Sequence, residues 1–354
     1  RDVAPSRGLG DVYKRQQYAV SHSNLSANQA YLLEQCLVWQ RLSEHLGWQC
    51  DNVRVVYSEI SQDIQNEVYA GAKSFVKANK GRYKCGGYIY TGEGQDIGQF
   101  WAELNVGNAK VKKTTANEIV TNGNAMYSIA GATFGIFSDQ NCSNQIGTLT
   151  TNENGDTNEV EVTAGTVYIK ELSAPKGYKL DTIVSSLKVE AGKTATLNVS
   201  DVPKVTETLV DLFKIDMETG KATAQGNAAL AGAEFTWHYY DGLYTKDNLP
   251  EKATRTWVIK TVAEKDSDGN SHYVTKLTDA CKVSGDAFYT QNEKSVLPLG
   301  TLTVEETKAP DGYLLDGAYM QAGDSAEQIK GMYLTQITAV SYTHLRAHET
   351  ELHL

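Results

Sequence analysis

Apolar positions recur at two different periods along this chain, and the change of period divides it. Between Ser26 and Gly47, the positions Leu32, Gln35, Trp39, Leu42 and Leu46 lie at helical spacing on one face. Ser26-Ala27-Asn28-Gln29 has the form of a capping box ahead of them, and Gly47 is a suitable stop. A second helix is predicted over 61–80, with Ile64, Val68, Ala72 and Phe75 inward and Gly81 ending it, followed by a short strand over 87–91. Further on the period falls to two. Short alternating runs rich in Val, Thr, Ile and Tyr are separated by turn signals at Asn154-Gly155-Asp156, Ala191-Gly192 and Asp268-Gly269-Asn270. Strands this short and this frequent predict β-sandwich architecture. The run 266–270 (DSDGN) resembles the start of a calcium loop, but Leu277 stands where such a loop needs a carboxylate, so a hairpin turn is predicted.

The alternating part repeats itself. Lys113 precedes Gly131-Ala132-Thr133-Phe134 by 18 residues, and Lys214 precedes Gly232-Ala233-Glu234-Phe235 by the same 18. The segments 165–181 (GTVYIKELSAPKGYKLD) and 300–316 (GTLTVEETKAPDGYLLD) align without gaps. Two blocks in the same order mean two copies of one domain. The second copy is longer: 92 residues separate Lys214 from Glu306, against 58 from Lys113 to Glu171, and the extra 34 follow Phe235.

Within each copy, ionisable residues extend apolar faces. Glu171 shares its face with Val167 and Ile169, and Glu306 with Leu302 and Val304. Lys113 follows Val111, Lys214 follows Leu212, and Asp201 follows Leu197 and Val199 at the same alternation. Strand-end charges ordinarily reach solvent, because Lys, Glu and Asp are almost never buried unpaired. Three in one domain, two of them recurring in the next, favour the other reading, a buried reactive set. Desolvation lowers the pKa of a buried Lys and raises that of a buried Glu. A neutral amine is a nucleophile, and a protonated Glu polarises a carbonyl and shuttles protons. The expected product is a Lys–Asp amide, formed once with loss of water.

Composition narrows the function classes. Of 354 residues, 41% are hydrophobic and 21% charged, enough to build packed cores. A net charge of -10 excludes the basic surface that nucleic acid or anionic membrane would require, and no run of 18 apolar residues spans a bilayer. The five cysteines (Cys36, Cys50, Cys85, Cys142 and Cys281) form no CxxC pair and are odd in number, so neither a disulfide framework nor a zinc site is predicted. No metal and no cofactor are implied. The segments 1–16 and 340–354 resemble translated adapter sequence at the edges of metagenomic gene fragments; they are expected to be non-native tails on a piece of a longer protein.

The first-strand Lys, the Leu230–Phe235 block (LAGAEF, with IAGATF over 129–134) and the ExxAPxGY runs at 171–178 and 306–313 resemble the SpaA-like, collagen-adhesin B-type domains of Gram-positive pilins and adhesins. The resemblance implies a mainly β fold: two prealbumin-like (transthyretin-like) β-sandwiches in tandem, over 109–204 and an enlarged, truncated 205–339. It also implies an intramolecular isopeptide bond from Lys113 to Asp201, assisted by Glu171, with Lys112 the rival nucleophile one residue out of the repeat spacing. In the second copy it implies Lys214 and Glu306, but no apolar-apolar-Asx run precedes the tail, so this copy is expected to remain unlinked.

Residues 17–108 form the N-terminal helical (α+β) partial domain. Gln35 is polar in an apolar stripe, and a boundary Gln bonded locally is one explanation. The other comes from resemblance: 34–39 (EQCLVW) is similar to the TQxAxW helix of thioester domains of Gram-positive adhesins, with Glu34 in place of the Thr. That implies a thioester at Gln35 with a Cys upstream of this chain. The expected protein is an adhesive cell-surface stalk in the cell wall of a Gram-positive bacterium, not a turnover enzyme. Its partners would be a host or extracellular matrix protein or glycan, and neighbouring pilin or wall components. The alternative is a non-covalent carbohydrate- or protein-binding wall module without internal cross-links.

Overall fold

Helical period gives helix and alternation gives sheet throughout the described chain. The computed structural model describes residues 26, 29, 33, 60–90, 97–206, 210–265, 267–322, 325, 327–338 and 343–351. Gln35 lies outside them. The predicted capping box is present: Ser26 N–H donates to Gln29 Oε1 (3.1 Å) and Gln29 N–H to Ser26 Oγ (3.3 Å). Helix α1 (Gln62–Ala78) starts from Ser61, whose hydroxyl accepts from Ile64 N–H, and it buries Val68 and Ala72. Val68 packs with Leu33 and Ile60; apart from residues 26, 29 and 33, the first predicted helix lies outside the described residues. The single strand expected next is one arm of a hairpin, β1 (Tyr83–Tyr90) with β2 (Ile97–Leu104).

The first sandwich is built from β3 (Val106–Thr115), the short helix α2 (Glu118–Thr121), β4 (Thr133–Phe137), β5 (Gln145–Thr150), β6 (Val160–Thr163), β7 (Gly165–Ser173), β8 (Val184–Val189) and β9 (Thr194–Asp201). One sheet has the order β6-β3-β9 and the other β5-β4-β7-β8. The first strand of the domain runs parallel to the last, with Lys113 beside Val199 and Thr115 beside Asp201. Val111, Phe134, Ile136, Leu149, Val167 and Ile169 fill the space between the sheets.

The second sandwich comprises β10 (Val205–Thr206), β11 (Val210–Asp216), β12 (Glu234–Tyr240), β13 (Arg255–Lys260), β14 (Val262–Lys265), β15 (Ser271–Thr275), β16 (Lys282–Gly285), β17 (Tyr289–Gln291), β18 (Lys294–Pro298), β19 (Gly300–Lys308), β20 (Tyr313–Ala322), β21 (Tyr333–Ile337) and β22 (Thr343–Glu351). Six strands lie between β12 and β19 where two lie between β4 and β7, and this is where the extra residues go. Trp237 and Trp257 face each other across β12 and β13 and are both buried, so the insertion enlarges the core. Within the predicted turn, the described residues 267–270 lie between the paired ends of the β14–β15 hairpin, Lys265 and Ser271. Strand β22, set apart with the tail on sequence, pairs parallel to β11 and antiparallel to β20, in the place that β9 holds in the first copy. Strand β11 is therefore paired on both sides, with β15 on one and β22 on the other.

The two sandwiches meet through a buried polar and aromatic junction. Asn124 Nδ2 donates to the Tyr239 hydroxyl (2.8 Å) and the Leu299 carbonyl (3.0 Å). The Tyr127 hydroxyl donates to the Lys204 carbonyl (2.6 Å) and accepts from Leu299 N–H (2.8 Å). Tyr178 packs edge-on against Tyr127, and Tyr289 against Tyr239. Burial holds the Tyr127 and Tyr239 hydroxyls protonated far above the usual tyrosine range, so they act only as neutral hydrogen-bonding groups. Residues 205–206 pair with 297–298, which draws the linker into the second domain. Asn124→Ala removes the donor to the Tyr239 hydroxyl and the acceptor of the Met126 N–H, while the Tyr239 hydroxyl still donates to the Leu299 carbonyl (2.9 Å). The loss is expected to cost about 1–3 kcal/mol, read by denaturant unfolding of the whole chain.

Candidate functional site

Each copy uses the same local devices to bring its Lys and Glu together. Gly131 and Gly232 adopt φ of +83° and +88°, a conformation that glycine alone takes cheaply. The next residue, Ala132 or Ala233, is fully buried. Its N–H donates to a buried threonine hydroxyl, Thr151 or Thr261, which in turn donates to the carbonyl of Ile129 or Leu230. That clamp sets where Phe134 and Phe235 enter their strands. Phe134 lies opposite Glu171 and Phe235 opposite Glu306, each just past a register shift in the pairing. Such a bulge re-aims the side chain beside it. The Lys113 ammonium stands over the Phe134 ring at 4.9 Å, and that of Lys214 over Phe235 at 5.6 Å. The phenylalanine of the repeat block is therefore the floor of the site, a role that periodicity alone did not assign.

In the first copy the structure brings Lys113, Glu171 and Asp201 together in the interior, at 0%, 3% and 2% exposure. Lys113 Nζ donates to Glu171 Oε1 at 2.6 Å. The same nitrogen lies 2.5 Å from Asp201 Oδ2, a contact that lacks hydrogen-bond angles. Burial pushes the Asp201 carboxyl above its ordinary pKa, outweighing the attraction of Lys113, and the nearby acids Glu171 and Asp181 push the same way. Asp201 is thereby biased toward the carboxylic acid, the form from which hydroxide can leave. Lys112 is on the opposite face of β3, half-exposed and paired with Asp156 at 2.9 Å. Alternation across β3 separates the two lysines.

In the second copy Lys214 is fully buried and donates to both oxygens of Glu306, at 2.8 and 2.6 Å. The register places Ala347 beside Lys214 and Glu349 beside Asp216, so Glu349 holds the backbone position that Asp201 holds in the first copy. Asp216, two residues from Lys214 and fully buried, is the acid that sequence reasoning missed. Burial would raise its pKa, but hydrogen bonds from the Thr219 backbone and hydroxyl, Gln225 and the Tyr313 hydroxyl outweigh that and hold it below the usual range. It is a fixed anion organising the turn after β11, the opposite of Asp201. The contrast lies in hydrogen-bond count, which alternation does not encode.

A family model described as the SpaA prealbumin-like fold domain matches residues 107–203 and 216–326, more than half of the chain. The chain belongs to that family, of Gram-positive pilins and adhesins, and is a cell-surface protein. It is similar to the trypsin-resistant surface T6 protein of Streptococcus pyogenes serotype M6, 35% identical over 88 residues that make up 22% of this chain and 16% of that protein. Among solved structures, the Bacillus anthracis TIE protein is similar at 14% identity, covering 99% of this chain and 73% of that one, with a TM-score of 0.41. The C-terminal fragment of the pilus adhesin SpaC from Lactobacillus rhamnosus GG is similar at 19% identity over 70% of this chain and 98% of that one, with a TM-score of 0.36. No helix among the described residues is long and apolar enough to cross a membrane.

The raised Asp201 pKa has a signed consequence for a chain that cannot cross-link. A carboxyl whose folded pKa lies above its unfolded value stabilises fully below the unfolded value, near pH 4, and loses that contribution as pH rises through the folded one. In Lys113→Met the cation that partly offsets the shift is gone. Its first sandwich is expected to melt at a lower temperature at pH 7 than at pH 4.5, and Asp201→Asn added to it is expected to reduce that slope. Calorimetry at the two pH values reads the difference.

Proposed function

We propose that the first sandwich is locked by an autocatalytic amide between Lys113 Nζ and Asp201 Cγ, and that the chain serves as a load-bearing stalk of an adhesin or pilin. The observation that carries this reading is a buried lysine nitrogen in contact with both carboxyls at once. The proton passes from Lys113 to Glu171 along their hydrogen bond, leaving a neutral amine and two neutral acids. The amine attacks Asp201 Cγ while Glu171 donates to the carbonyl oxygen. Glu171 then gives its proton to the leaving hydroxyl and takes the second proton from the nitrogen. The products are one amide, one water and Glu171 as it entered the step.

The bond closes a loop of about 88 residues, and by analogy with disulfide chain entropy is worth roughly 4–5 kcal/mol. Its mechanical effect is larger. Force entering β3 and leaving β9 passes through a covalent link instead of through the hydrogen bonds between those strands. In the second copy Lys214 and Glu306 stand ready, but a Glu occupies the acceptor position on β22. Gln35, outside the described residues, would supply the acyl half of a thioester to an upstream Cys for covalent adhesion; a longer chain that never incorporates methylamine there rules this out. The stalk's partners are a host or matrix protein or glycan, and neighbouring wall components.

The intact chain is expected to weigh one water less than its sequence. Glu171→Ala and Asp201→Ala are expected to return it to full mass. A wild-type chain at full mass overturns the cross-link and leaves a non-covalent binding module as the reading.

A further inference from the structure

We propose that Asp181 is a positioning residue for the Lys113–Asp201 amide, acting through Glu171 with its backbone N–H and on Asp201 with its charge. This rests on the cross-link proposed above. Asp181 N–H donates to Glu171 Oε2 at 2.8 Å, while Lys113 occupies Oε1. The two oxygens of the carboxyl are thus distinguished. Oε2 is anchored by an amide that cannot take a proton, and Oε1 faces the amine and is the oxygen left to receive one.

The loop that presents this N–H is tied to the segment that directly follows β9, the strand ending at the acceptor Asp201. Lys179 N–H donates to the Val202 carbonyl at 3.1 Å, and Lys204 N–H to the Gly177 carbonyl at 2.8 Å. Asp181 Oδ1 accepts from Ile183 N–H at 2.9 Å, which fixes the turn. Glu171, Asp181, Ile183 and Asp201 line one small cavity. One loop therefore registers the proton shuttle against the electrophile. The charged groups facing Asp201 are Lys113 from β3, Glu171 from β7 and Asp181 from the loop, and the Asp181 charge favours the protonated acceptor. In the second copy Asp316, at the matched sequence position, is exposed on β20, and both oxygens of Glu306 reach Lys214.

The test follows loss of one water by intact mass from the moment of cell-free synthesis, in the full chain, between pH 5 and pH 8. Asp181→Pro removes the N–H and is expected to slow amide formation by roughly tenfold or more, within the range for misplaced acid–base groups. Asp181→Asn keeps the N–H and the turn oxygen but removes the charge. It is expected to cross-link near the wild-type rate at pH 5 and several-fold more slowly at pH 8, because Asp201 then ionises at lower pH. A purely structural role would not move the pH profile. If Asp181→Pro does not fold, a backbone ester at residue 181, introduced in the cell-free synthesis, replaces it. Wild-type cross-linking with an unchanged Asp181→Asn profile overturns the charge role, loss of the N–H without slowing overturns the N–H role, and both spare the amide; a wild-type chain that never loses water overturns all of it.

Discussion

An ammonium and two carboxyls removed from water inside a β-sandwich set the terms for the first copy. Lys113, Glu171 and Asp201 would each carry a heavy desolvation cost alone. Together they can exist as a net neutral set, but only if the nitrogen reaches both acids and the remaining lone pairs are met. The glycine–alanine clamp, the bulge beside Glu171, the aromatic floor at Phe134 and the loop at Asp181 all act on those distances. A buried ion pair is weak ground for a stability argument. Conversion to the proposed amide would remove the charges that made it costly.

Much of this was legible in the sequence because alternation is a strict rule. Once Val111 and Val199 face inward, Lys113 and Asp201 must, and Lys112 must not. The repeat added weight, since a second lysine and a second glutamate recurred at matched spacing. The structure's additions follow from other physics. Asp181 contributes through a main-chain N–H, which carries no side-chain signature. Asp216 is as buried as Asp201, yet is held as an anion by four donating groups whose convergence depends on tertiary geometry. Phe134 was visible as a motif letter but became a partner of the ammonium only through cross-strand register.

The two copies show one scaffold under different demands. The motif tyrosine packs against Tyr127 at the domain junction in the first, and donates to Asp216 in the second. The inserted strands give the second sandwich its paired tryptophans and a wider core. The Lys–Glu pair is kept in both, while the acceptor position differs.

The junction between the sandwiches has a consequence for how the molecule yields. Val205 and Thr206 are hydrogen-bonded into the second domain almost as soon as β9 ends, and Asn124 and Tyr127 grip Leu299 from the other side. A tether normally stores slack between its modules and straightens before anything unfolds. Here that slack is largely taken out. A pull on one sandwich would reach the next with little elastic delay, so under load this stretch would transmit motion as a strut.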